Sequence, residues 1–172
     1  MFDNLTPDLI VKSLPDLDFA VLERQGLQGV LLDLDNTLCA WQEEEIAPGC
    51  GEWVAQALAR GLKLCIVSNS IRPQRLNRVA AKLGIPAVGR WLVGRKPGKG
   101  AILEALGQLG IEPTRAAMVG DQVLADVLGG NRLGMFTVWV LPLHKREFFM
   151  TKLARCVEAV LVRKFVRLGK MP

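Results

Sequence analysis

The sequence predicts an α/β domain, a parallel sheet with helices on both faces. Two observations predict it. Short apolar runs with no polar alternation recur between stretches of helical periodicity, the pattern of strands buried on both sides. Glycines at 61, 84 and 110 close the helical stretches, so the connections are brief. The 172 residues suffice for one domain with a full core, 1–172. Half are hydrophobic and 23% are charged, which excludes dominant disorder.

The elements follow in order. Residues 1–28 form an N-terminal leader, and 29–144 form the core. Gly29 to Asp35 is an apolar strand that runs into two carboxylates. Cys50 to Arg60 is a helix introduced by Pro48-Gly49, and Leu62 to Ser68 is a buried strand. Pro73 to Leu83 is a helix with proline in its first turn. A brief extended piece at Ala87-Val88 precedes a loop rich in glycine and lysine. Lys99 to Leu109 is a helix, Ala116 to Gly120 a strand, Gln122 to Leu133 a helix and Phe136 to Leu141 a strand. Residues 145–172 read as a basic helix in which Leu153, Val157, Leu161 and Phe165 recur every four residues.

Several classes drop out. No window approaches 18 uninterrupted apolar residues, and the acidic start MFDNLTPDLI predicts no secretory leader. Cys39, Cys50, Cys65 and Cys156 show no metal spacing and read as reduced thiols of a cytoplasmic protein. Residues 1–144 carry 14 Lys and Arg against 15 Asp and Glu, whereas 145–172 carry 8 against 2. The tail therefore supplies the basicity and suits either peripheral contact with the inner face of an anionic membrane or a helix packed on the sheet with its charged side in water. Arg72, Arg75 and Arg78, spaced by three, share one helix side and would form a positive funnel if that side flanks the site. Nucleic acid is not expected, because the basic stretch 72–99 has only Trp91 to stack on a base. His144 reads as structural.

In such sheets ligands bind beyond the carboxyl ends of the strands. That rule gathers Asp33 and Asp35 from the first strand, Ser68 and Asn69 from the second, Asp121 from the third, and Lys96 from the loop before a helix. Clustered carboxylates repel, and a divalent cation such as Mg²⁺ gives them a reason to gather.

The strings DLDNTL (33–38), SNS (68–70), RKP (95–97) and GDQVLAD (120–126) resemble the four ordered motifs of the haloacid dehalogenase-like (HAD) phosphohydrolases. LTPDLIVKSLPDL, DLDNTLCAW, GDQVLADVLGGNRLGMFTVWVLPL and the tail with TKLAR and VEAVL extend the likeness to the YqeG-type HAD phosphatases and their mitochondrial phosphatidylglycerophosphate phosphatase relatives. Ser70 and Ala125 depart from the pattern, which has Asn and Thr there.

The resemblance implies a Rossmann-like HAD fold and a phosphatase. Asp33 would be the nucleophile that forms an aspartyl-phosphate, and Asp35 the general acid and base. Asp33, the Asp35 backbone carbonyl and Asp121 would hold Mg²⁺. Ser68, Asn69 (backbone or amide) and Lys96 would hold the phosphate. Asp126 would orient Lys96 or a metal-bound water. An acid at position 35 favours rapid hydrolysis over a persistent acyl-phosphate. Only 33 residues separate Asp35 from Ser68 and 28 separate Ser68 from Lys96, which leaves no room for a large cap domain. A small flap, 40–46, carries Glu43, Glu44 and Glu45. An open site suits a large substrate, and the implied one is a phospholipid headgroup, phosphatidylglycerophosphate. A soluble nucleotide, sugar or polynucleotide phosphate is the alternative with the same chemistry. A receiver-like or nucleic-acid-binding module is the alternative without it. Oligomeric state is not legible in the sequence.

Overall fold

The structure is a computed structural model that describes residues 3–90 and 92–141. Six parallel strands form one sheet in the order β1-β6-β5-β2-β3-β4. They are β1 (Leu9–Val11), β2 (Gly29–Leu32), β3 (Lys63–Ser68), β4 (Ala87–Gly89), β5 (Ala116–Gly120) and β6 (Phe136–Val140). The helices are α1 (Phe19–Arg24), α2 (Cys50–Ala59), α3 (Pro73–Leu83), α4 (Lys99–Leu109) and α5 (Leu128–Asn131). The strand residues of β2 and β5 are all buried, as the unbroken apolar runs require.

Successive side chains of β2 go to opposite faces. Val30 and Leu32 pack with Trp53 and Val54 of α2 and Leu76 and Val79 of α3. Leu31 packs with Ile102, Ala105 and Leu106 of α4 on the other side. Both faces are therefore covered, as the sequence predicts. From β2 the chain adds β3 and β4 on one side and then crosses to add β5 and β6 on the other. This reversal puts the switch point at the carboxyl end of β2, where such sheets hold ligands.

Two elements depart from the sequence reading. The leader belongs to the core: β1 pairs with β6 at the sheet edge, Asp18 caps α1 by accepting from the Ala20 N–H at 2.9 Å, and Leu14, Leu17 and Leu22 are fully buried. A three-residue strand is too short to show a period, which hides it in the sequence. The expected helix from Gln122 to Leu133 is present but shorter, and it opens as a π-helix, Val123–Val127, that runs straight into the short α5. Val123, Ala125, Asp126 and Val127 are all buried, more than one stripe of a regular helix can turn inward. Trp139 is core, and its indole N–H donates to the Asp121 carbonyl at 2.9 Å. Cys39, Cys50 and Cys65 are buried reduced thiols, and burial pushes them up to about 11, 11 and 12. Trp91, His144, Cys156 and the basic segment 145–172 lie outside the described residues.

Candidate active site

The three central strands end within two residues of one another in register, and the polar residues at their ends meet. Asp33 prolongs β2 by donating its N–H to the Val119 carbonyl at 2.8 Å. Ser68 closes β3, and Asp121 follows β5. A cavity of about 290 Å³ opens at this rim, lined by Asp33, Asp35, Ser68, Asn69, Lys96 and Asp126 among others. Asp121 sits beneath it, 1% exposed. The sequence-predicted residues thus converge.

Lys96 is the hub. It is 2% exposed, and its ammonium donates to Asp33 Oδ1 at 2.5 Å and to the Val67 carbonyl at 2.6 Å. The same nitrogen lies 2.6 Å from Asp126 Oδ1. Burial opposes its charge, yet the carboxylates of Asp126 and Asp33 outweigh that and hold the ammonium above its usual range. Asn69 fixes the backbone there: its amide donates to the Lys96 carbonyl and accepts from the Lys96 N–H, both at 2.9 Å. The Asn69 amide is therefore committed to the lysine loop, and of the two phosphate contacts expected from this residue the backbone one remains. Ser68 Oγ accepts from the Ser70 N–H at 3.1 Å, and Ser70 Oγ from the Arg72 N–H at 3.1 Å. Serine at position 70 thus leads the chain into α3.

Three carboxylates face one ammonium. Oxygens of Asp33, Asp121 and Asp126 lie within 4.8 Å of one another. Asp121 Oδ2 accepts from the Asn36 amide at 3.1 Å, and Asp126 Oδ2 accepts from the Gln122 N–H at 3.0 Å. Asp33 Oδ2 and Asp121 Oδ1 are buried with no hydrogen-bond partner. Two orphaned carboxylate oxygens in one buried cluster fit a hard divalent cation, which takes oxygen ligands and offsets their charge. Without it, burial pushes Asp33 up to about 7 against the pull of Lys96. Burial, then Asp33 and Asp126, raise Asp121 well above the carboxylate range.

These shifts fix the sign of a pH effect. Between its unfolded value of 3.8 and about 7, Asp33 binds more protons folded than unfolded, so metal-free stability falls as pH rises through that window. A divalent cation is expected to raise Tm more at about pH 8 than at about pH 6, because protons compete for its ligands. Melts in EDTA and in metal at both pH values check this.

Gly120 makes room for the lysine's second carboxylate. A Cβ there would lie 2.1 Å from Asp126 Oδ2 and 2.3 Å from its Cγ. Gly120→Ala is expected to push Asp126 off Lys96, slowing turnover and costing about 1–3 kcal/mol in urea unfolding.

The expected positive funnel is a correction. Arg75 is buried and 2.9 Å from Asp35 Oδ1, and Arg78 pairs with Glu44 at 2.6 Å. Lys82 donates to the Glu44 carbonyl at 2.8 Å. The helix cations tie down the flap, and of the three arginines Arg72 alone lines the cavity without an acid partner among the described residues. Arg75 is the site residue whose role the sequence reading missed. The absence of any acid between 72 and 99 was the available signal, since a cation buried there must find its partner elsewhere in the chain.

A parallel α/β sheet whose switch point gathers Asp33, Asp35, Lys96 and Asp121 defines a HAD-type phosphatase, a phosphomonoesterase. The family model described as mitochondrial PGP phosphatase matches residues 3–142, and the chain belongs to that family. It is 33% identical to the probable phosphatase YqeG of Bacillus subtilis over 95% of this chain and 92% of that protein. It is 30% identical to phosphatidylglycerophosphate phosphatase 1, chloroplastic/mitochondrial, of Arabidopsis thaliana, over 96% of this chain and 49% of that protein. Among solved structures it resembles a HAD phosphatase from Thermococcus onnurineus, at 27% identity and a TM-score of 0.52 over 68% of this chain and 58% of that one.

Proposed function

We propose that this chain removes the terminal phosphate of phosphatidylglycerophosphate through an aspartyl-phosphate on Asp33, with Mg²⁺ as the cation. The observation that carries the chemistry is the contact of Lys96 with Asp33 beside the orphaned oxygens of Asp33 and Asp121. Asp33 attacks phosphorus, Lys96 balances charge on the transferring oxygens, and Asp35 protonates the leaving alkoxide. Ser68 and the Asn69 backbone orient the phosphoryl group. Asp35 then takes a proton from the water that cleaves the acyl-phosphate. Mg²⁺, held by Asp33, the Asp35 carbonyl and Asp121, would supply charge neutralisation of the phosphate. Asp126 keeps Lys96 in place.

The rim supports a lipid substrate. Trp41 and Ile71, 39% and 69% exposed, line the cavity beside Arg72. Leu92 and Val93 are exposed on the loop that runs from β4 back to Lys96, and Arg95 and Lys99 add charge close by. An apolar rim with cations suits contact with an anionic bilayer, with the basic segment 145–172 adding attraction. No helix among the described residues is long and apolar enough to cross a membrane. The named relative from Arabidopsis supports the same substrate.

Phosphate release with Mg²⁺ tests the reading, using phosphatidylglycerophosphate in mixed micelles against glucose 6-phosphate and nucleotide monophosphates. A marked preference for the lipid is expected. Equal rates on the soluble esters with none on the lipid would contradict the substrate while leaving the chemistry intact.

A further inference from the structure

Arg75 is 3% exposed, a rare place for a guanidinium. Its contacts all fall on the segment that follows β2. Nη1 lies 2.9 Å from Asp35 Oδ1, Nε donates to the Glu43 carbonyl at 2.8 Å, and Nη2 donates to the Ala40 carbonyl at 3.4 Å. The rigid fork of a guanidinium can serve three such separated acceptors, whereas an ammonium cannot span them.

Asp35 Oδ1 also accepts from the Gln42 N–H at 3.0 Å. Both donors therefore hold the same oxygen. The other, Oδ2, has no protein partner among the described residues, and Asp35 lines the cavity. Gln42 reaches its position with φ 63, a left-handed conformation that a side chain of this kind rarely holds. Such a conformation persists where its surroundings over-determine it. Here Arg75 grips the chain on either side of it, at Ala40 and Glu43.

We propose that Arg75 is a positioning residue: it clamps the flap and Asp35 Oδ1 together, so that Asp35 Oδ2 alone faces the reacting oxygens. The inference rests on the acid–base role of Asp35. In the first step a bond forms from Asp33 to phosphorus as the ester P–O bond breaks, and the leaving oxygen takes the proton from Asp35 Oδ2. In the second, water attacks phosphorus, its proton goes to Oδ2, the bond to Asp33 breaks and inorganic phosphate leaves. Each transfer requires Oδ2 to stay within reach of an oxygen it does not hold in the resting protein.

Leaving-group dependence tests this, because p-nitrophenolate departs without a proton and the alkoxide of glycerol phosphate does not. Arg75→Met should lower kcat on glycerol phosphate on the order of 100-fold, and the p-nitrophenol burst by less than about 10-fold. Added to Asp35→Ala, it should cost no more than a further factor of about 3, since it acts through a group already gone. Arg75→Lys keeps the buried charge and should fall between the two, and it carries the same comparison if Arg75→Met does not fold. Equal losses on both substrates from the Arg75 variants, an undiminished loss on top of Asp35→Ala, or no loss at all would overturn the proposal. Asp35→Ala slowing both substrates alike would overturn the acid–base role of Asp35, and the proposal with it.

Discussion

Asp33→Asn abolishes phosphate release, a loss of roughly a thousandfold or more, while the metal-free protein melts at the same temperature or higher. The two halves of this expectation come from one geometry. The amide keeps the shape and still accepts from Lys96, but it cannot form an acyl-phosphate. It also removes one of three carboxylates that crowd a single buried ammonium. Asp33 already sits against its own burial, which pushes it up to about 7. Neutralising it relieves that cost. Initial rates with p-nitrophenyl phosphate and a melt in EDTA decide the matter. Retained turnover would mean a different nucleophile, and a large drop in Tm would mean that the Asp33 charge holds the fold.

Lys96→Met moves in the opposite direction on stability and the same direction on activity. Asp33 and Asp126 lose their shared cation, and the Val67 carbonyl loses its donor. Breaking a buried pair from one side costs about 3–5 kcal/mol, because the remaining charge stays buried without compensation. The loss is expected to be largest at high pH. Without Lys96 the carboxylates protonate more readily, so by about pH 6 part of the penalty is gone. Urea unfolding at about pH 6 and about pH 8 reads this directly. An equal loss at both pH values would show that Lys96 contributes packing and not charge. Turnover falls with it, since no other cation among the described residues touches Asp33.

The central strands were legible because burial on both faces writes them as unbroken apolar runs, and the fixed ends of those runs placed Asp33, Ser68 and Asp121 on one rim. Lys96 was legible from its place in the loop before a helix and from its RKP string, but its contacts were not, since nothing in a loop's periodicity says where it will fold back. The leader was not legible as core. β1 has three residues and α1 has six, so neither gives a period, and their buried leucines count only once β6 and α2 are in place. The helix after Gln122 was legible but its wide first turn, Val123–Val127, was not: there Asp126 reaches Lys96, and Gly120 leaves the space for it. Arg75 shows the same limit. Three arginines at one spacing predicted a shared face, and the structure splits them, because the acids that claim Arg75 and Arg78 lie more than 30 residues away in the chain.

The most direct measurement is to trap the covalent intermediate. Enzyme mixed with acetyl phosphate and Mg²⁺, quenched and reduced with borohydride, converts an acyl-phosphate to an alcohol. Mass spectrometry of the peptides should then find Asp33 recovered as homoserine, with no other carboxylate changed. Homoserine at a different position, or none while turnover proceeds, would contradict the account.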